Sequence, residues 1–348
     1  MRIAFCHHYS LSHGGGGERI LVDAANFLSA RGHDVSIHSL PFRRRDFKFS
    51  LLSNVPYVEK PFHQFRADVA YHVYAPLTTY LFRSRAPKIA GLHGSVVADY
   101  LANPTDFFKQ GIFVAGAYAF RQLLGRRALQ SFNAIHTVNP YGFGQNHPRV
   151  FTLPNWVDCS KSSALLRSKR VRQRKFRVLF VGKPVYNKGI DRFIRLSKMF
   201  NQDDIEFVAT FAPENGNRGN SERVRWVGQV PSESIWDLYS SGGVLLHPTR
   251  NETFGLVILE SLVSGTPVLT TPIPCHSVLK LPVHYASTLD GFAQNLKDMY
   301  GLWKGDYDSY LKLGDEGAEA VKHYDRQIIL PRFEGMLKNV ADGGTGQA

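Results

Sequence analysis

Apolar runs and helical spacings alternate along the first half of the chain. Residues 2–8 form an apolar run typical of a buried strand, a glycine-rich stretch follows at 14–17, and residues 18–30 carry apolar side chains at helical spacing before Gly32. Residues 34–40 have the composition of a second strand. A strand, glycine loop, helix and strand in this order predict a parallel sheet. Further strands are predicted at 68–73, 88–93 and 134–138.

A second series of the same kind follows an interruption at residues 153–158 and a very basic stretch at 161–177. It opens with a predicted strand at 177–181, a loop at 182–189 and a helix at 190–200. Its remaining strands are predicted at 205–210, 224–227, 243–247 and 268–271.

Two strand–helix series predict an α/β protein with two Rossmann-like domains, in which ligands bind beyond the carboxyl ends of the strands. We assign residues 1–155 to an N-terminal domain, 156–330 to a C-terminal domain, and 331–348 to the end of a helix and a disordered tail. A chain of 348 residues suits two such cores better than one.

The charge of the chain adds a preference for an anionic partner. The formal net charge is +13, from 42 Lys and Arg against 29 Asp and Glu. Nucleic acid, an acidic membrane surface and a phosphorylated substrate all fit this charge. The three cysteines are far apart, which argues against a disulfide framework. Without a signal peptide or a long apolar run, a cytoplasmic protein is expected, peripheral on a membrane face.

The first candidate site is the glycine run that contains Gly15, Gly16 and Gly17. Glycines after a strand let the backbone approach a phosphate closely, and the helix that follows offers free N–H groups. The alternative is a flexible turn, but the position after the first strand favours a binding loop.

The second candidate site is the loop that follows the first strand of the second series. Lys183 and Lys188 lie five positions apart there, where they could offset the charge of a diphosphate. The alternative is a solvated turn with surface lysines.

The third candidate site is a pair of carboxylates eight positions apart. Glu252 lies in a loop, Glu260 lies in an otherwise apolar helix, and residues 254–256 connect the two. A carboxylate in such a helix is costly to bury without a partner, and ribose hydroxyls would be suitable donors. The alternatives are an exposed helix face for Glu260 and a helix cap for Glu252. His93, at the carboxyl end of a predicted strand, is a fourth candidate.

Taken together, these segments resemble the GT4 family of glycosyltransferases over roughly residues 1–280. Glu252 and Glu260 match the E-x7-E signature of the family, and residues 265–268 match the Gly-Thr-Pro-Val turn that follows it. Residues 154–158 resemble the interdomain segment P-N-G-V-D, and Lys188-Gly189 matches the donor-phosphate loop. At Lys183 the family more often has arginine.

The resemblance implies a retaining glycosyltransferase of the GT-B fold, with two Rossmann-like domains facing each other across a cleft. Glu252 and His93 would contact the transferred sugar as catalytic residues, and Glu260 would hold the ribose. The donor and its phosphates would be bound by Gly15, Gly16, Gly17, Lys183, Lys188, Phe254, Gly255 and Leu256. No cofactor and no metal would be required, because lysines can offset the charge of the diphosphate.

A finer resemblance connects residues 14–21, 226–231 and 251–255 to the α-1,2-mannosyltransferases of dolichol-linked oligosaccharide assembly. It implies transfer of mannose from GDP-mannose to a lipid-linked glycan. Two basic and aromatic segments, at 42–48 and 107–127, suit contact with an anionic membrane. The alternative for these segments is a solvated face and an ordinary core helix.

Two competing functions are considered, a nucleotide-sugar epimerase of the same architecture and a basic nucleic-acid-binding protein. The chain has no zinc-finger spacing or RNA-recognition signature, which disfavours binding to nucleic acid. Asp306-Tyr307-Asp308 matches the D-x-D pattern of metal-using glycosyltransferases, but it lies far from the other motifs. We therefore interpret it as a surface feature.

Overall fold

The structure is a computed structural model of the chain, and it describes residues 1–13, 15–41, 51–73, 78–93, 127–140, 147–211, 222–231 and 234–344. The chain divides into two compact units. The first contains Met1–Trp156 together with Gln327–Ala348, and the second contains Val157–Arg326. Both are α/β units with a parallel sheet, which confirms the predicted fold class.

The first unit has a seven-stranded parallel sheet in the order β3-β2-β1-β4-β5-β6-β7 within the described residues. Five of the seven strands follow predicted apolar runs, because a sheet covered on both faces needs continuous apolar segments. The short strands β3 and β7 were not predicted, and β7 follows the strand at 134–138 that was expected to be the last of this half. Their bounds are Arg2–His7 (β1), Asp34–Ser39 (β2), Tyr57–Glu59 (β3), Val69–Val73 (β4), Lys88–Leu92 (β5), Ala134–Thr137 (β6) and Val150–Thr152 (β7).

The first helix, α1, spans Gly16–Ala30 and buries Ile20, Leu21, Ala24 and Leu28. It begins two residues before the predicted start, because Glu18 is the third residue of its first turn and accepts the Gly15 N–H at 2.7 Å. Gly16 and Gly17 therefore belong to the helix and not to the loop. A short helix, α2, spans Thr78–Leu81.

The second unit has a six-stranded parallel sheet in the order β10-β9-β8-β11-β12-β13 within the described residues. Its strands are Phe176–Phe180 (β8), Ile205–Ala209 (β9), Val224–Trp226 (β10), Val244–His247 (β11), Val268–Thr270 (β12) and His284–Tyr285 (β13). Aromatic residues, among them Phe176, Phe180, Phe193 and Phe207, fill the core on one side of the sheet.

The helices of the second unit cover its sheet and carry several of the candidate residues. They are Ser162–Lys169 (α3), Ile190–Ser197 (α4), Ile235–Ser240 (α5), Leu256–Val263 (α6), Pro274–Val278 (α7), Leu289–Gly305 (α8) and Tyr307–Ala320 (α9). Short 3-10 turns lie at Tyr186–Lys188 and Val321–Tyr324.

The last helix, α10, spans Arg326–Ala341, and from Gln327 onward the chain belongs to the first unit. The sequence analysis placed residues 156–330 in the second domain, so the two divisions differ at this end. The physical reason is that Phe333 packs on Phe5, Tyr71 and Trp156, while Glu334 pairs with Arg31. An apolar helical pattern predicts burial but does not say against which sheet.

None of the helices among the described residues has the length and apolar character needed to cross a membrane.

Candidate functional site

In the second unit, the loop after β8 is fastened to the segment after β11. Gly189 has a left-handed φ of 76°, and a side chain there would place its Cβ 2.1 Å from the carbonyl oxygen of Pro248. The carbonyl of Asn187 accepts the backbone N–H of Arg250 at 2.8 Å and the hydroxyl of Thr249 at 2.9 Å. Glycine is therefore required at position 189 both for its conformation and for the close approach.

The side chain of Arg250 strengthens the same connection. Its guanidinium binds both carboxylate oxygens of Asp191 at 2.7 Å, donates to the carbonyl of Tyr186 at 2.7 Å and lies 3.7 Å from the centroid of the Tyr186 ring. A bidentate arginine pair of this kind has a fixed geometry. Arg250 therefore holds the turn that ends in Lys188 in one place.

This connection brings Lys188 and Glu252 together. The Lys188 ammonium donates to Glu252 Oε2, and the buried His247 Nε2 lies 3.7 Å from the same oxygen. Burial alone would raise the pKa of Glu252, but the positive charge of Lys188 and the neighbouring His247 hold this pKa well below its usual value. Glu252 is thus an anion at neutral pH. Burial lowers the pKa of His247.

The segment after Glu252 leads directly into α6. Gly255 is the residue before the first turn of the helix and has a left-handed φ of 89°. Phe254 is buried and its ring packs edge-on against Tyr324 at 5.9 Å. Leu256 is the first helical residue. The start of a helix carries a partial positive charge and unsatisfied N–H groups, which suit an anionic ligand.

Glu260 lies in the second turn of α6 and is buried, with 5% of its surface exposed. The hydroxyl of Tyr239 in α5 donates to Glu260 Oε2 at 2.8 Å. The alternative of an exposed helix face is therefore wrong for Glu260. A buried carboxylate needs such donors, and this one fixes the orientation of the group.

The backbone of Tyr239 is held by a second set of hydrogen bonds. Its carbonyl accepts the hydroxyl of Thr266 at 2.6 Å, and Thr266 Oγ1 accepts from the buried Lys169 ammonium at 2.6 Å. Lys169 also donates to the carbonyls of Ser240 and Gly242 at the end of α5. Burial lowers the pKa of Lys169 to about 7. The amino group therefore acts as a cap for this helix end.

Lys183 is exposed, and its carbonyl accepts the N–H of Val185 at 2.8 Å. It lies on the same loop as Lys188 but before the 3-10 turn. The N–H of the preceding residue, Gly182, donates to Thr210 Oγ1 at 2.9 Å. The structure thus brings Lys188 to Glu252 and leaves Lys183 at the outer part of the loop.

In the first unit, His93 takes part in a buried chain of hydrogen bonds. His93 Nε2 lies 2.7 Å from the Tyr71 hydroxyl, which lies 2.5 Å from His136 Nδ1, and His136 Nε2 donates to the carbonyl of Leu153 at 2.9 Å. Burial lowers the pKa of His93 to about 3 and that of His136 to about 4. Both rings are therefore neutral at physiological pH.

The neutral rings fix the direction of this chain. His136 Nε2 carries its proton for Leu153, so Tyr71 donates to His136 Nδ1 and accepts from His93 Nε2. His93 Nδ1, 3.1 Å from the Asn155 amide, is then an acceptor, which the NH2 group of Asn155 satisfies after a half-turn of the amide. Both ring nitrogens of His93 are thus engaged within the chain, and its low pKa means that the ring is not a base near pH 7.

The glycine candidates of the first unit lie directly before Glu18, whose carboxylate is buried. Glu18 accepts the Gly15 N–H and lies 3.5 Å from the buried His7 Nε2. The Gly15 amide is thus engaged by Glu18, whereas Gly16 and Gly17 contribute the first N–H groups of α1. A carboxylate at the start of a helix is favoured by the helix dipole.

The D-x-D pattern has a structural role. Asp306 precedes α9 and accepts the N–H of Ser309 at 3.0 Å, and Asp308 lies in the first turn. Among the described residues, no group of three or more His, Cys, Asp or Glu side chains is arranged to hold a metal ion.

Several residues of this arrangement were missed by sequence reasoning. Arg250, Asp191, Tyr239, His247 and Lys169 act through contacts between segments that are far apart along the chain. The sequence signal that could have found Arg250 was its position two residues before Glu252. For Tyr239 and Lys169 the sequence contains no comparable signal.

Comparison with known structures shows the same architecture in glycosyltransferases. Sucrose-phosphate synthase from Thermosynechococcus elongatus superposes with a TM-score of 0.77 at 14% identity, over 99% of this chain and all of that one. WaaG, a glycosyltransferase of lipopolysaccharide biosynthesis, superposes with a TM-score of 0.71 at 15% identity over 96% of this chain and 99% of its own. The two units therefore have the GT-B fold of these glycosyltransferases.

Sequence comparison adds a match to a glycosyltransferase family over part of the chain. Residues 163–279 match the model of "Glycosyl transferases group 1", which lies entirely in the second unit. Lipopolysaccharide glucosyltransferase WaaG of Escherichia coli is 23% identical over 307 residues, 78% of this chain and 81% of that protein. An uncharacterised glycosyltransferase of Methanocaldococcus jannaschii is 29% identical over 116 residues, 31% of this chain and only 30% of its own length.

Proposed function

We propose that this protein is a retaining glycosyltransferase that moves a hexose from a nucleotide sugar to an acceptor hydroxyl. The observation that carries the proposal is the Lys188–Glu252 pair at the start of α6, with the buried Glu260 one helical turn further on. This places a cation, a helix start and two carboxylates along one short stretch of the second unit. Such a set matches the phosphate, sugar and ribose groups of one ligand.

In the proposed reaction the bond between the anomeric carbon and the diphosphate oxygen breaks, and a bond to the acceptor oxygen forms on the same face of the sugar. The acceptor proton passes to the departing diphosphate oxygen. Lys188 and the start of α6 stabilise the charge that develops on the diphosphate. Glu252 accepts hydrogen bonds from the sugar hydroxyls, and Glu260 accepts them from the ribose. No metal is needed for these steps.

The first unit has a different part in this proposal. The glycine-rich start of α1 offers backbone N–H groups, and the neutral His93 ring would orient the sugar by exchanging its hydrogen bond with Tyr71 or Asn155 for one to a sugar hydroxyl. The low pKa of His93 argues against a role as proton carrier. We therefore treat Glu252 as the residue nearest to the chemistry.

The proposed donor is GDP-mannose, and the proposed acceptor is a lipid-linked glycan at the cytosolic face of a membrane. The donor rests on the likeness of residues 14–21 and 251–255 to dolichol-pathway mannosyltransferases. The name of the relative WaaG, lipopolysaccharide glucosyltransferase, refers to a lipid-bearing glycan but also to glucose. A structure of the same fold, Anabaena HepE at 14% identity and a TM-score of 0.67 over 97% of this chain and all of that one, contains UDP-glucose. UDP-glucose is thus the principal competing donor.

A donor panel tests the proposal. The full-length protein is incubated with GDP-mannose, GDP-glucose, UDP-glucose and UDP-N-acetylglucosamine, each with and without lipid-linked and soluble glycan acceptors. Nucleotide affinity is measured by calorimetry and the sugar product by mass spectrometry. Transfer to an acceptor with retained configuration supports the proposal. Release of an epimerised nucleotide sugar with no transfer would replace it with the epimerase, and absence of binding to every donor would reject both.

The basic and aromatic segments at 42–48 and 107–127 were predicted to contact a membrane. All of the first and all but Arg127 of the second lie outside the described residues. Membrane contact through these two segments therefore remains a proposal.

A further inference from the structure

Two segments of the first unit pair side by side at its surface. The N–H of Phe62 donates to the carbonyl of Leu81 at 2.7 Å, and the backbones of Gln64 and Arg83 form a parallel bridge. Further backbone contacts of 3.4 Å join His63 and Phe65 to Arg83. Residues 62–65 and 81–83 thus form a short two-stranded ribbon, which Arg66 and Arg85 follow closely in the chain.

The two sides of this ribbon differ in character. On the inner side His63 packs edge-on against the buried Phe82 at 6.1 Å, and Phe65 stacks on His38 at 4.3 Å. The other side chains alternate with these and are exposed. We call their surface the ribbon face; with its flanking residues it comprises Lys60, Phe62, Gln64, Arg66, Tyr80, Arg83 and Arg85.

The ribbon face exposes two large aromatic side chains. Phe62 is 66% exposed and Tyr80 is 56% exposed. Phe62 also has a left-handed φ of 54°, a conformation that is unfavourable for a bulky residue. The exposed ring adds nothing to the core, which makes Phe62 a candidate for contact with another surface.

The charge of the ribbon face has one sign. It contains Lys60, Arg66, Arg83 and Arg85, and neither stretch 60–66 nor stretch 80–88 contains an acidic residue. In the described part of the chain these four cations form no ion pair. The carboxylates next to the face are occupied elsewhere: Glu59 accepts from Tyr57 and Ser10, and Asp68 pairs with Arg2.

We propose that the ribbon face docks the first unit onto an anionic membrane surface. Aromatic side chains settle at the boundary between head groups and acyl chains, and nearby cations are attracted to acidic lipids. The single sign of the charge and the two outward aromatics match this surface. RNA is a less suitable partner, because single strands are bound by aromatic platforms in a groove, whereas these aromatics lie on an outward ribbon face.

The choice of a membrane as the partner rests on the proposed function, in which the acceptor is lipid-linked. An enzyme docked in this way would meet its acceptor at the membrane, but vesicle binding requires neither donor nor acceptor. Docking and transferase activity can therefore fail separately.

The main experiment measures binding of the full-length protein to vesicles of phosphatidylcholine alone and of phosphatidylcholine with 30% phosphatidylglycerol. The test variant replaces Arg66, Arg83 and Arg85 with serine. Each basic residue close to an acidic surface contributes about a fivefold gain in partitioning, so the triple variant should lose about 100-fold. The matched control replaces three exposed cations of the second unit, Arg174, Lys175 and Lys198, with serine and should lose less than about threefold.

A second variant separates docking from folding. Phe62→Gly removes the exposed ring and places glycine where the backbone is left-handed, which glycine adopts without strain. The variant should unfold at the same or a higher temperature, yet bind acidic vesicles several-fold less tightly. A purely structural Phe62 would instead give reduced thermal stability with unchanged vesicle binding, which would overturn the proposal.

Three further results would overturn it. Equal binding to neutral and acidic vesicles would remove the electrostatic basis, and an equal loss in the control variant would show that only net charge matters. If the arginine variant loses binding to a single-stranded RNA but not to vesicles, the face serves nucleic acid. Donor binding, measured by calorimetry in parallel without vesicles, should be the same in the arginine variant and the wild type. Its absence from both would reject the transferase and leave the docking result valid.

Discussion

The candidate residues of the two units lie in opposite kinds of surroundings. In the second unit Lys188, Glu252 and Arg250 belong to a set of paired charges that joins two loops. In the first unit His93 belongs to a chain of neutral hydrogen bonds through Tyr71 and His136. In the proposed function, the second unit therefore offsets the charge of an anionic ligand, whereas the first contributes uncharged hydrogen-bonding groups. Substitutions and pH should therefore affect the two in different ways.

The largest effect is expected for Lys188→Ala. The substitution removes the cation proposed for the diphosphate and leaves the Glu252 carboxylate without its partner, and breaking a half-buried pair on one side costs more than removing both charges. We expect kcat/KM for sugar transfer to fall by about 1,000-fold, or about 4 kcal/mol. Steady-state kinetics with the best donor of the panel measures it, with Lys198→Ala as a surface control.

The Lys188→Ala variant should still fold, because no core packing is lost, but it should unfold at a lower temperature than the wild type since Glu252 loses its cationic partner. Circular dichroism and thermal unfolding check this point. Activity within about twofold of the wild type would exclude Lys188 from the phosphate site.

The next effect concerns pH and separates the two units directly. The pKa of His93 is lowered to about 3 in the folded protein, whereas an unfolded histidine titrates near about 6.5. The unfolded chain therefore takes up a proton first as the pH falls, and folding loses stability below about pH 6.5. Between pH 7 and pH 5 the loss from His93 should be about 2 kcal/mol.

The measurement is the urea-unfolding free energy at pH 7 and at pH 5 for the wild type and for His93→Gln. The variant should lose about 2 kcal/mol less than the wild type over this interval. Glu252→Gln is the matched control. Because the folded pKa of Glu252 is depressed, its contribution persists above its unfolded pKa of about 4.5 and is lost only at lower pH. An identical pH dependence in wild type and His93→Gln would contradict the neutral chain.

A smaller effect is expected for the ribose candidate. Glu260→Ala should weaken nucleotide-sugar binding by about tenfold or more, because the only expected ligand group for this buried carboxylate is a ribose diol. Tyr239→Phe keeps the ring and removes only the hydroxyl that orients Glu260, so binding should weaken by about fivefold. Calorimetry with the nucleoside diphosphate measures both. Unchanged affinity in Glu260→Ala would remove the ribose assignment.

The smallest effect is expected for Arg250→Lys. Lysine keeps the charge but cannot form the two-point contact with Asp191 or the flat stack on Tyr186. The turn ending in Lys188 should become less well positioned, and kcat should fall by about threefold with little change in KM. If KM rises and kcat does not change, Arg250 acts on ligand binding and not on the position of Lys188.

The strands and the carboxylate pair could be predicted from sequence because their signals are local. The apolar run of β8 and the eight-residue spacing of Glu252 and Glu260 are visible without any knowledge of contacts. The pairing of Arg250 with Asp191 and of Tyr239 with Glu260 depends on which loops the sheet brings together, and no local pattern reports that. The start of α1 was misplaced for a related reason, since a run of four glycines before Glu18 hides the capping role of this residue.

The aromatic contacts of Phe333 have a consequence for biosynthesis. A ribosome releases residues 157–326 before it releases the helix that brings Phe333 onto Phe5, Tyr71 and Trp156. The later segment of the polypeptide can therefore complete its fold first, while the earlier one waits with an uncovered apolar surface. Domains usually finish in the order in which they are made. Here the order is reversed, because residues 1–156 keep an uncovered apolar surface until the segment that contains Phe333 has been made.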